Sequence, residues 1–538
     1  MKAFLGNAWR EGVLDAHRCE HEIRIQVVAW KNFEALQSLY FIRPRSVRMV
    51  WNYVHTIGIR QLVLKILSRF QEALRNEKYV SCGLGRVIET GRAAHFTEGE
   101  WVAFLAPNHP PCLERVVLPE ELCISIKPEN FPFVENDYLL YLPANAHNAK
   151  GSDWFGAIRG WHPLAGLPLS TVLKEMSLQN IIAALKNDDW SRAQRLHIPA
   201  PTLIKECDGQ RPISKSPNKK EAVLVGYGNY AKTTLLPYIK PYVLVKTIHE
   251  IDPTQIPLKR NSSIRWDTSP EIRPNEAYDV YLIAGYHHTH APLAIQALRK
   301  KATVVVEKPL VVNRQQLDAL LLAMQSSRGQ LFCCLQRRYS PFNAFAVQDL
   351  DVSPGDPISY HCIVFEVPLP QLHWYLWPSS QSRLISHGCH WLDHFLYLNG
   401  YGDVETYDIF VANNDSVNCS VKLKNGAFFT MVITDRGCQR IGMQNYIELR
   451  ANGASVKINN DGEYISENNS RIIRKTKKKR NVNHIEMYRQ IGQKIIDGSP
   501  GDSLEITRRS WDLVLAFEER FSLLRKEGVN PENSILLK

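Results

Sequence analysis

One lysine in this sequence has a setting that could support proton transfer. Lys308 lies two residues after 303-TVVV-306, a short β-branched run that predicts a buried strand. Ligands of parallel α/β sheets bind beyond the carboxyl ends of the strands. Pro309 follows the lysine, and a residue before proline is held out of the α region, so the lysine backbone is restricted. Lys308 is therefore a candidate catalytic residue.

A second group of polar side chains lies in 386-SHGCHWLDHFLYLNG-400. The spacing of its apolar residues predicts a helix, on which His390, Asp393 and His394 share one face. A histidine titrates near neutral pH and can donate or accept a proton. The same three residues could hold a metal. Asp393 could instead orient His390 or only pack beside it, and His390 could itself be a buried structural residue. We predict no metal, and His387 is a second candidate acid.

The cofactor site is predicted from 222-AVLVGYGNYAKTTLLPYI-239. A β-type run to Val225 breaks on Gly226 and Gly228 and closes on Ala231, a G-x-G-x-x-A pattern that opens a helix. The first glycine permits a tight turn, and the second lets the backbone approach a pyrophosphate, which the helix N terminus attracts. Alone, the pattern could also be only a strand-to-helix turn.

The elements that must position these residues follow from the order of strands and helices. Strands that alternate with helices from Ala222 predict a parallel, doubly wound sheet. After Pro341, longer alternating strands with one helix before them and two after them predict an antiparallel α+β domain. The predicted domains are 1–145, mostly β; 146–219, a degenerate segment and linker; 220–340, an α/β Rossmann domain; and 341–538, an α+β substrate domain.

Composition places the chain among soluble globular proteins. Its 538 residues give room for three or four domains, and no apolar run approaches the ~20 residues of a membrane span. The N-terminal residues turn polar too early for a signal peptide, so we expect a cytoplasmic protein. Part of the net charge of +11 lies in 471-RIIRKTKKKR-480, which is read as a solvated loop or as a surface that steers an anionic ligand. No nucleic-acid recognition module is evident.

Four motifs together resemble the Gfo/Idh/MocA oxidoreductases, over about residues 221–527. They are 226-GYGNYA-231, 285-GYHHTHAPLAIQAL-298, 304-VVVEKPLVVNRQQLDALL-321 and 386-SHGCHWLDHFLYLNG-400. The stretch 81–128 resembles the GroES-like domain of medium-chain alcohol dehydrogenases. The region that should hold the zinc ligands, 30–41, has no Cys or His, so no zinc is expected. The chain resembles a two-part form of the family, in which a medium-chain dehydrogenase half comes first. In this chain the first nucleotide-binding domain has eroded.

The resemblance implies roles for individual residues. Lys308 would contact the reacting hydroxyl and help relay its proton, and His390 would be the usual acid–base residue. The carboxylate that the family places shortly before this histidine is replaced by Ser386 and His387, so an orienting carboxylate is missing. The substrate residues implied are His290, Arg338, His387 and Asp393, with a domain-interface role equally open for Arg338. The cofactor residues predicted are Gly226, Tyr227, Gly228, Asn229, Tyr230, Ala231, Thr247, Glu307 and Lys308.

The cofactor implied by the resemblance is NAD(P). Sites for NAD usually place an acid at the end of the second strand, where it binds the ribose 2′-hydroxyl. In 243-VLVKTIHEID-252 the strand is predicted to end near Thr247, and Glu250 comes late. The absence of an acid at the strand end, together with the basic residues nearby, favours NADP over NAD.

The function predicted is an NAD(P)-dependent oxidoreductase acting on CH–OH groups. It would move a hydride between nicotinamide and a carbinol or carbonyl carbon of a sugar-like or small biosynthetic metabolite. Two alternatives stay open: a non-catalytic nucleotide-binding or regulatory protein, and an NAD-dependent elimination or glycoside cleavage without net redox change. We expect a small-molecule substrate and no nucleic acid or membrane partner. The resemblance also implies a homodimer through the C-terminal sheet.

Overall fold

The structure is a computed structural model that describes the second half of the chain almost continuously. It describes residues 219–528 apart from 251–255, 257–262, 268–271, 370–374, 376–379, 413–415 and 438–441. In the first half it describes residues 3–5, 8–10, 22–34, 59, 63, 79–91, 94–107, 115–120, 123–127, 139–142 and 194–197.

The described part of the first half consists mainly of β-strands. They are β1 (Ala3–Leu5), β2 (Ala8–Arg10), β3 (Glu22–Glu34), β4 (Tyr79–Thr90), β5 (Trp101–Pro107), β6 (Arg115–Pro119), β7 (Cys123–Ser125), β8 (Leu139–Leu142) and β9 (Gln194–His197). Strands β1 and β2 form a hairpin, and the others form one sheet in the order β7-β5-β4-β3-β8-β9, with β6 also paired to β3. These strands agree with a mostly β segment, and its GroES-like identity stays a prediction.

A six-stranded parallel sheet begins at residue 220, as the alternation of strands and helices predicts. Its strands are β10 (Lys220–Val225), β11 (Val243–His249), β12 (Arg265–Asp267), β13 (Val280–Ile283), β14 (Thr303–Val306) and β15 (Gln330–Cys333), in the order β12-β11-β10-β13-β14-β15. From β10 the chain forms β11 and β12 on one side. It then returns to place β13 on the other side of β10. This reversal opens a crevice at the carboxyl ends of β10 and β13, where ligands bind in open α/β sheets.

Three helices flank this sheet. They are α1, a π-helical turn Ala231–Leu235 that continues as Leu236–Ile239; α2, His290–Arg299 after a 3-10 turn His287–Thr289; and α3, Arg314–Ser326. The core strands carry β-branched and aromatic residues that are buried on both faces, among them Val223, Tyr281 and Val305. Such two-sided burial is expected of a parallel sheet covered by helices on both sides.

The second domain is built on an eight-stranded sheet. Its strands are β16 (Ser359–Phe365), β17 (Val404–Val411), β18 (Val417–Leu423), β19 (Phe428–Thr434), β20 (Gln444–Ala451), β21 (Ala454–Asn459), β22 (Glu463–Asn468) and β23 (Ile472–Lys477), in the order β17-β18-β19-β16-β20-β21-β22-β23. All neighbours are antiparallel except β16 and β19, which are parallel. The predicted antiparallel sheet is therefore mixed, and the basic run 471–480 is mostly an edge strand rather than a loop.

Four helices complete the second half. They are α4 (Phe342–Asp349), α5 (Cys389–Leu398, after a π-helical turn Leu384–Gly388), α6 (Val482–Asp497) and α7 (Leu504–Gly528), with a 3-10 turn Gln336–Tyr339 before α4. Helix α6 returns to the parallel sheet, because Met487 and Ile491 share one apolar cluster with Leu235 and Ile239 of α1. Among the described residues, no helix has the length and apolar character needed to cross a membrane.

One face of the eight-stranded sheet leaves apolar side chains exposed. Ile363 of β16 lies directly opposite Tyr446 of β20 and Val432 of β19, and all three are exposed. Exposed apolar residues in contact with one another often mark an interface. The predicted homodimer through this sheet stays a prediction.

Candidate active site

The two glycines of the turn after β10 have different roles: one is needed by the fold, and the other leaves open space. Gly226 has φ +93°, and a Cβ there would lie 2.5 Å from the Ala284 carbonyl oxygen at the end of β13. Its N–H donates to the His249 carbonyl at 2.9 Å. A Cβ at Gly228 would meet no heavy atom within 4 Å. The first glycine is therefore required by the fold, whereas the second leaves the free volume that a close-lying pyrophosphate needs.

Helix α1 points its N terminus at this free volume. Among the described residues, no side chain caps the start of its π-helical turn. Ala231 is buried, as close packing of helix against strand requires, and the Tyr230 hydroxyl turns inward to lie 3.1 Å from the Tyr488 hydroxyl. Tyr230 can therefore serve a cofactor only through its backbone N–H. The helix dipole at this end fits a dinucleotide phosphate.

An acidic residue does stand at the end of the second strand, contrary to the sequence prediction. Strand β11 continues to His249, two residues beyond the predicted end, so Glu250 follows it directly. The Glu250 carboxylate accepts a hydrogen bond of 2.6 Å from the Tyr227 N–H in the glycine turn. Thr247 is buried in the strand with its hydroxyl 2.5 Å from the Tyr278 hydroxyl, so it does not face the crevice. Glu250 replaces Thr247 as the candidate ribose contact.

A buried polar cluster lies beside this strand end. Within the described residues, one group of His, Cys, Asp or Glu side chains has ligand atoms within 4.8 Å of one another: His249, Asp267 and Glu276. Arg265 pairs with Glu276, and Arg273 pairs with Asp267 at 2.6 Å. These arginines already balance both carboxylates, so the cluster is accounted for as an ion-pair network. The prediction that the protein uses no metal stays a prediction.

Lys308 connects the parallel sheet to the histidine segment of the second domain. It follows β14 by two residues, and its Nζ donates to the Ser386 carbonyl oxygen at 2.8 Å. The Nζ also lies 5.7 Å from the centre of the Tyr375 ring. Burial lowers the pKa of Lys308, but its negative and ionisable neighbours, led by Tyr375 and Cys389 and including Glu307 and Glu366, outweigh burial and raise it above its ordinary value. Lys308 is therefore a cation at neutral pH.

Glu307 faces away from the crevice. The Tyr488 hydroxyl of α6 donates to the Glu307 carboxylate, and the Tyr230 hydroxyl lies next in the same chain. Burial raises the pKa of Glu307. This buried network ties the strand end to α1 and α6, which replaces the direct cofactor contact predicted for Glu307.

Two of the predicted substrate residues, Arg338 and Asp393, pair with each other. Arg338, which is partly buried, pairs with the buried Asp393 at 2.6 Å and with Asp502 at 3.0 Å. Asp393 also accepts from Ser510, so it neither faces a substrate nor orients His390. The alternative that the sequence left open for Arg338, a role between the domains, is the one that its partners support.

The histidine after β13 is also engaged by the protein. Nδ1 of His290 lies 2.7 Å from the Pro309 carbonyl, and Nε2 lies 3.1 Å from the Gly285 carbonyl. Burial lowers the pKa of His290 to about 4, so the ring is neutral near pH 7. His290 fastens the turn after β13 to the segment that follows Lys308, which replaces the predicted substrate contact.

A carboxylate that sequence reasoning missed stands beside the histidine segment. Glu366 follows β16, and its Oε1 lies 2.8 Å from Nδ1 of His387. Burial raises the pKa of Glu366, but the charges of His387, Arg383 and Lys308 outweigh burial and hold it below its usual range. The sequence signal was only a Glu directly after an alternating strand, twenty-one residues from its partner.

His390 is buried among positive groups. Its Nδ1 has no hydrogen-bond partner among the described residues. Burial lowers the pKa of His390 well below its ordinary range, and the charges of Lys308 and Arg337 lower it further. Its helical neighbour His394 lies 3.1 Å from the Tyr360 hydroxyl and 2.9 Å from the Asn343 side chain, so both of its ring nitrogens have protein partners.

Comparison with known proteins yields one curated relative and several solved structures. A Bacillus subtilis (strain 168) protein named as an oxidoreductase, YteT, is 32% identical over 65 residues, which are 12% of this chain and 15% of the length of that relative. A levoglucosan dehydrogenase solved with NADH and L-sorbose is 16% identical, with a TM-score of 0.46 over 56% of this chain and 97% of its own. The WlbA dehydrogenase of Chromobacterium violaceum, solved with NADH and UDP-GlcNAcA, is 15% identical, with a TM-score of 0.45 over 57% and 96%.

The family model that matches is that of the Gfo/Idh/MocA proteins, described as an oxidoreductase family with an NAD-binding Rossmann fold. The match covers residues 220–333. It therefore spans the six-stranded parallel sheet, the glycine turn and Lys308. Over these residues, the chain is similar to the NAD-binding Rossmann fold of the Gfo/Idh/MocA oxidoreductase family.

Proposed function

We propose that the protein is an NAD-dependent oxidoreductase that acts on a CH–OH group of a sugar-like or small biosynthetic metabolite. The observation that carries this proposal is the bond from Lys308 Nζ to the Ser386 carbonyl at 2.8 Å. This bond joins the edge of a dinucleotide-binding sheet to a segment that bears two histidines. A cation and proton-exchanging groups at the carboxyl edge of such a sheet are what hydride transfer to a carbonyl requires.

The side chains divide the work between binding and proton transfer. A bound nicotinamide dinucleotide would supply the hydride acceptor or donor. Gly228 and the N terminus of α1 would hold its pyrophosphate, and Glu250 its adenine ribose. Lys308, as a cation, would attract the substrate oxygen and stabilise the negative charge that develops on it during hydride transfer. A histidine of the segment 386–390 would exchange the hydroxyl proton.

We expect NADH to bind at least about tenfold more tightly than NADPH, a difference of about 1.4 kcal/mol. The Glu250 carboxylate can accept from the ribose 2′-hydroxyl, and it would repel a 2′-phosphate at the same place. Glu250→Gln should bring the ratio of the two dissociation constants close to one. Quenching of protein fluorescence by each reduced dinucleotide measures both constants.

Glu221→Gln is the matched control for this experiment. Glu221 lies at the opposite end of β10, where it pairs with Lys246 at 3.2 Å on the surface. Its replacement should leave the ratio unchanged. Tighter binding of NADPH by the wild-type protein would instead support the NADP preference that the sequence suggested.

The reaction is tested by incubating the protein with NAD+ and a panel of carbinols and following absorbance at 340 nm. The panel contains D-glucose, myo-inositol, levoglucosan and UDP-N-acetylglucosamine. Net formation of NADH with at least one of them is the expected result. Conversion of a sugar without net NADH formation would favour elimination or glycoside cleavage, and dinucleotide binding without conversion would favour a regulatory protein.

A further inference from the structure

We propose that His387, held by Glu366, is the residue that exchanges the substrate hydroxyl proton, and that His390 is not. The inference rests on the proposed function, since it assigns the proton step of that reaction. His387 would be the catalytic residue, and Glu366 would be a positioning residue that acts through it.

Among the described residues, Nδ1 of His387 has polar partners within hydrogen-bond distance and Nε2 has none. Nδ1 lies 2.8 Å from Glu366 Oε1 and 3.1 Å from the Ser386 hydroxyl. The side chain is 20% exposed, which makes it more accessible than the buried His390. With Nδ1 held by the protein, Nε2 is the atom left to meet a substrate oxygen, as in other carboxylate–histidine pairs.

The location of the pair is fixed by the second sheet. The Glu366 N–H donates to the Thr434 carbonyl at 2.8 Å, which continues the parallel pairing of β16 and β19. Asp435 follows β19 at the same edge and pairs with Arg383 at 3.1 Å. Arg383 lies 3.9 Å from the second oxygen of Glu366. Arg383 therefore faces one carboxylate oxygen of Glu366, and His387 faces the other.

His387 and Lys308 border the same aromatic ring. The Tyr375 ring centre lies 5.5 Å from that of His387 and 5.7 Å from Lys308 Nζ, and the backbone of Ser386 also binds that nitrogen. An oxygen attracted by the Lys308 cation would consequently lie close to the His387 imidazole. The proton donor or acceptor of a reaction must lie within hydrogen-bond reach of the reacting oxygen.

A base must be able to hold the proton that it takes up, and the two histidines differ in this respect. His390 is buried, and the cations of Lys308 and Arg337 both oppose its protonation. His387 instead faces the Glu366 carboxylate, a group of opposite charge, at 2.8 Å. Among the described residues, His387 has Glu366 as its partner. The other charged or titratable groups near the pair are Arg383, Asp435, Lys308, Tyr375, His287 and His390.

The proposed step balances without a further reactant. In the direction of oxidation, the O–H bond of the carbinol breaks and its proton moves to Nε2 of His387. The electron pair of that bond forms the carbonyl as the hydride leaves the carbon for the nicotinamide. The proton then passes from His387 to solvent. In the direction of reduction, the imidazolium returns a proton to the oxygen.

Kinetics over pH 5 to 9 test the assignment, using NAD+ and the panel sugar that is turned over fastest. For the wild type, kcat/KM should fall towards low pH with unit slope, because the imidazolium cannot accept a proton. His387→Asn should lower kcat/KM by about 10²- to 10⁴-fold and remove this dependence, whereas His390→Asn should keep it. Glu366→Gln should lower kcat by about tenfold and leave KM within about twofold, because Glu366 acts on the substrate only through His387. A fall that persists in His387→Asn and disappears in His390→Asn would overturn the proposal.

A measurement without dinucleotide or substrate separates the pair from the reaction. In protein labelled with ¹⁵N-histidine, the His387 signals are those that His387→Asn removes. Their chemical shifts should change in Glu366→Gln and should be unchanged in the control Glu405→Gln, whose carboxylate pairs with the exposed Lys422 at 3.0 Å. Unchanged His387 shifts in Glu366→Gln refute the pair. Changed shifts in a protein that turns over no panel sugar would refute the proposed function instead.

Discussion

We expect Lys308→Met to lower kcat/KM by about 10²- to 10⁴-fold while the dissociation constant for NADH stays within about twofold. Its neighbours raise the pKa of Lys308 above its ordinary value, so the wild-type side chain is charged throughout the neutral range. Methionine has a similar length and suits a buried site, but it cannot stabilise negative charge on a substrate oxygen. Steady-state kinetics and fluorescence quenching by NADH give the two constants separately.

Two further variants show whether the charge of Lys308 is responsible for the loss of kcat/KM. Lys308→Arg keeps the charge and should recover part of the activity, although a guanidinium has a different shape and cannot reproduce the single bond to Ser386. Lys240→Met removes an exposed lysine after α1 and should leave both constants unchanged. Full activity in Lys308→Met would contradict the proposed function. A parallel loss of NADH binding would show that the lysine serves the cofactor rather than the reacting oxygen.

The fold around the cofactor site was predictable because its signals are local. The strand, glycine turn and helix at 222–239 depend on residues adjacent in sequence, and burial of parallel strands produces uninterrupted apolar runs. The end of β11 was misplaced because the polar residues His249 and Glu250 come soon after Thr247, although the strand continues to His249. Glu250 consequently appeared to come too late. A boundary error of two residues thus hid the carboxylate on which the proposed preference for NADH rests.

The polar residues of the second domain were less predictable because their partners are distant in sequence. On the sequence, Asp393 appears next to His390 on a helix, yet its carboxylate is taken by Arg338, fifty-five residues away. The missing carboxylate of the histidine segment comes from Glu366, on a different strand. Helical spacing shows which residues share a face, but it does not show which element that face contacts. Only the packing of α5 against its neighbours distinguishes structural from available side chains.

We also expect Gly228→Asp to fold normally and to bind NADH at least about 100-fold more weakly, a loss of about 2.7 kcal/mol. A Cβ at this position meets no heavy atom within 4 Å, so the fold tolerates it. The added carboxylate would occupy the space of the pyrophosphate and repel its charge across the N terminus of α1. Thermal unfolding followed by circular dichroism and fluorescence quenching by NADH measure the two properties on the same sample.

Gly226→Ala is the matched comparison, because it fails for a different reason. At φ +93° and with its Cβ 2.5 Å from the Ala284 carbonyl, alanine strains the backbone whether or not a ligand is bound. It should cost about 2 to 4 kcal/mol of unfolding free energy and lower the melting temperature. If both variants lost stability equally, the open space at Gly228 would be a requirement of the fold. If Gly228→Asp kept both stability and NADH affinity, the crevice between β10 and β13 would not be a dinucleotide site, and the proposed reaction would lose its cofactor.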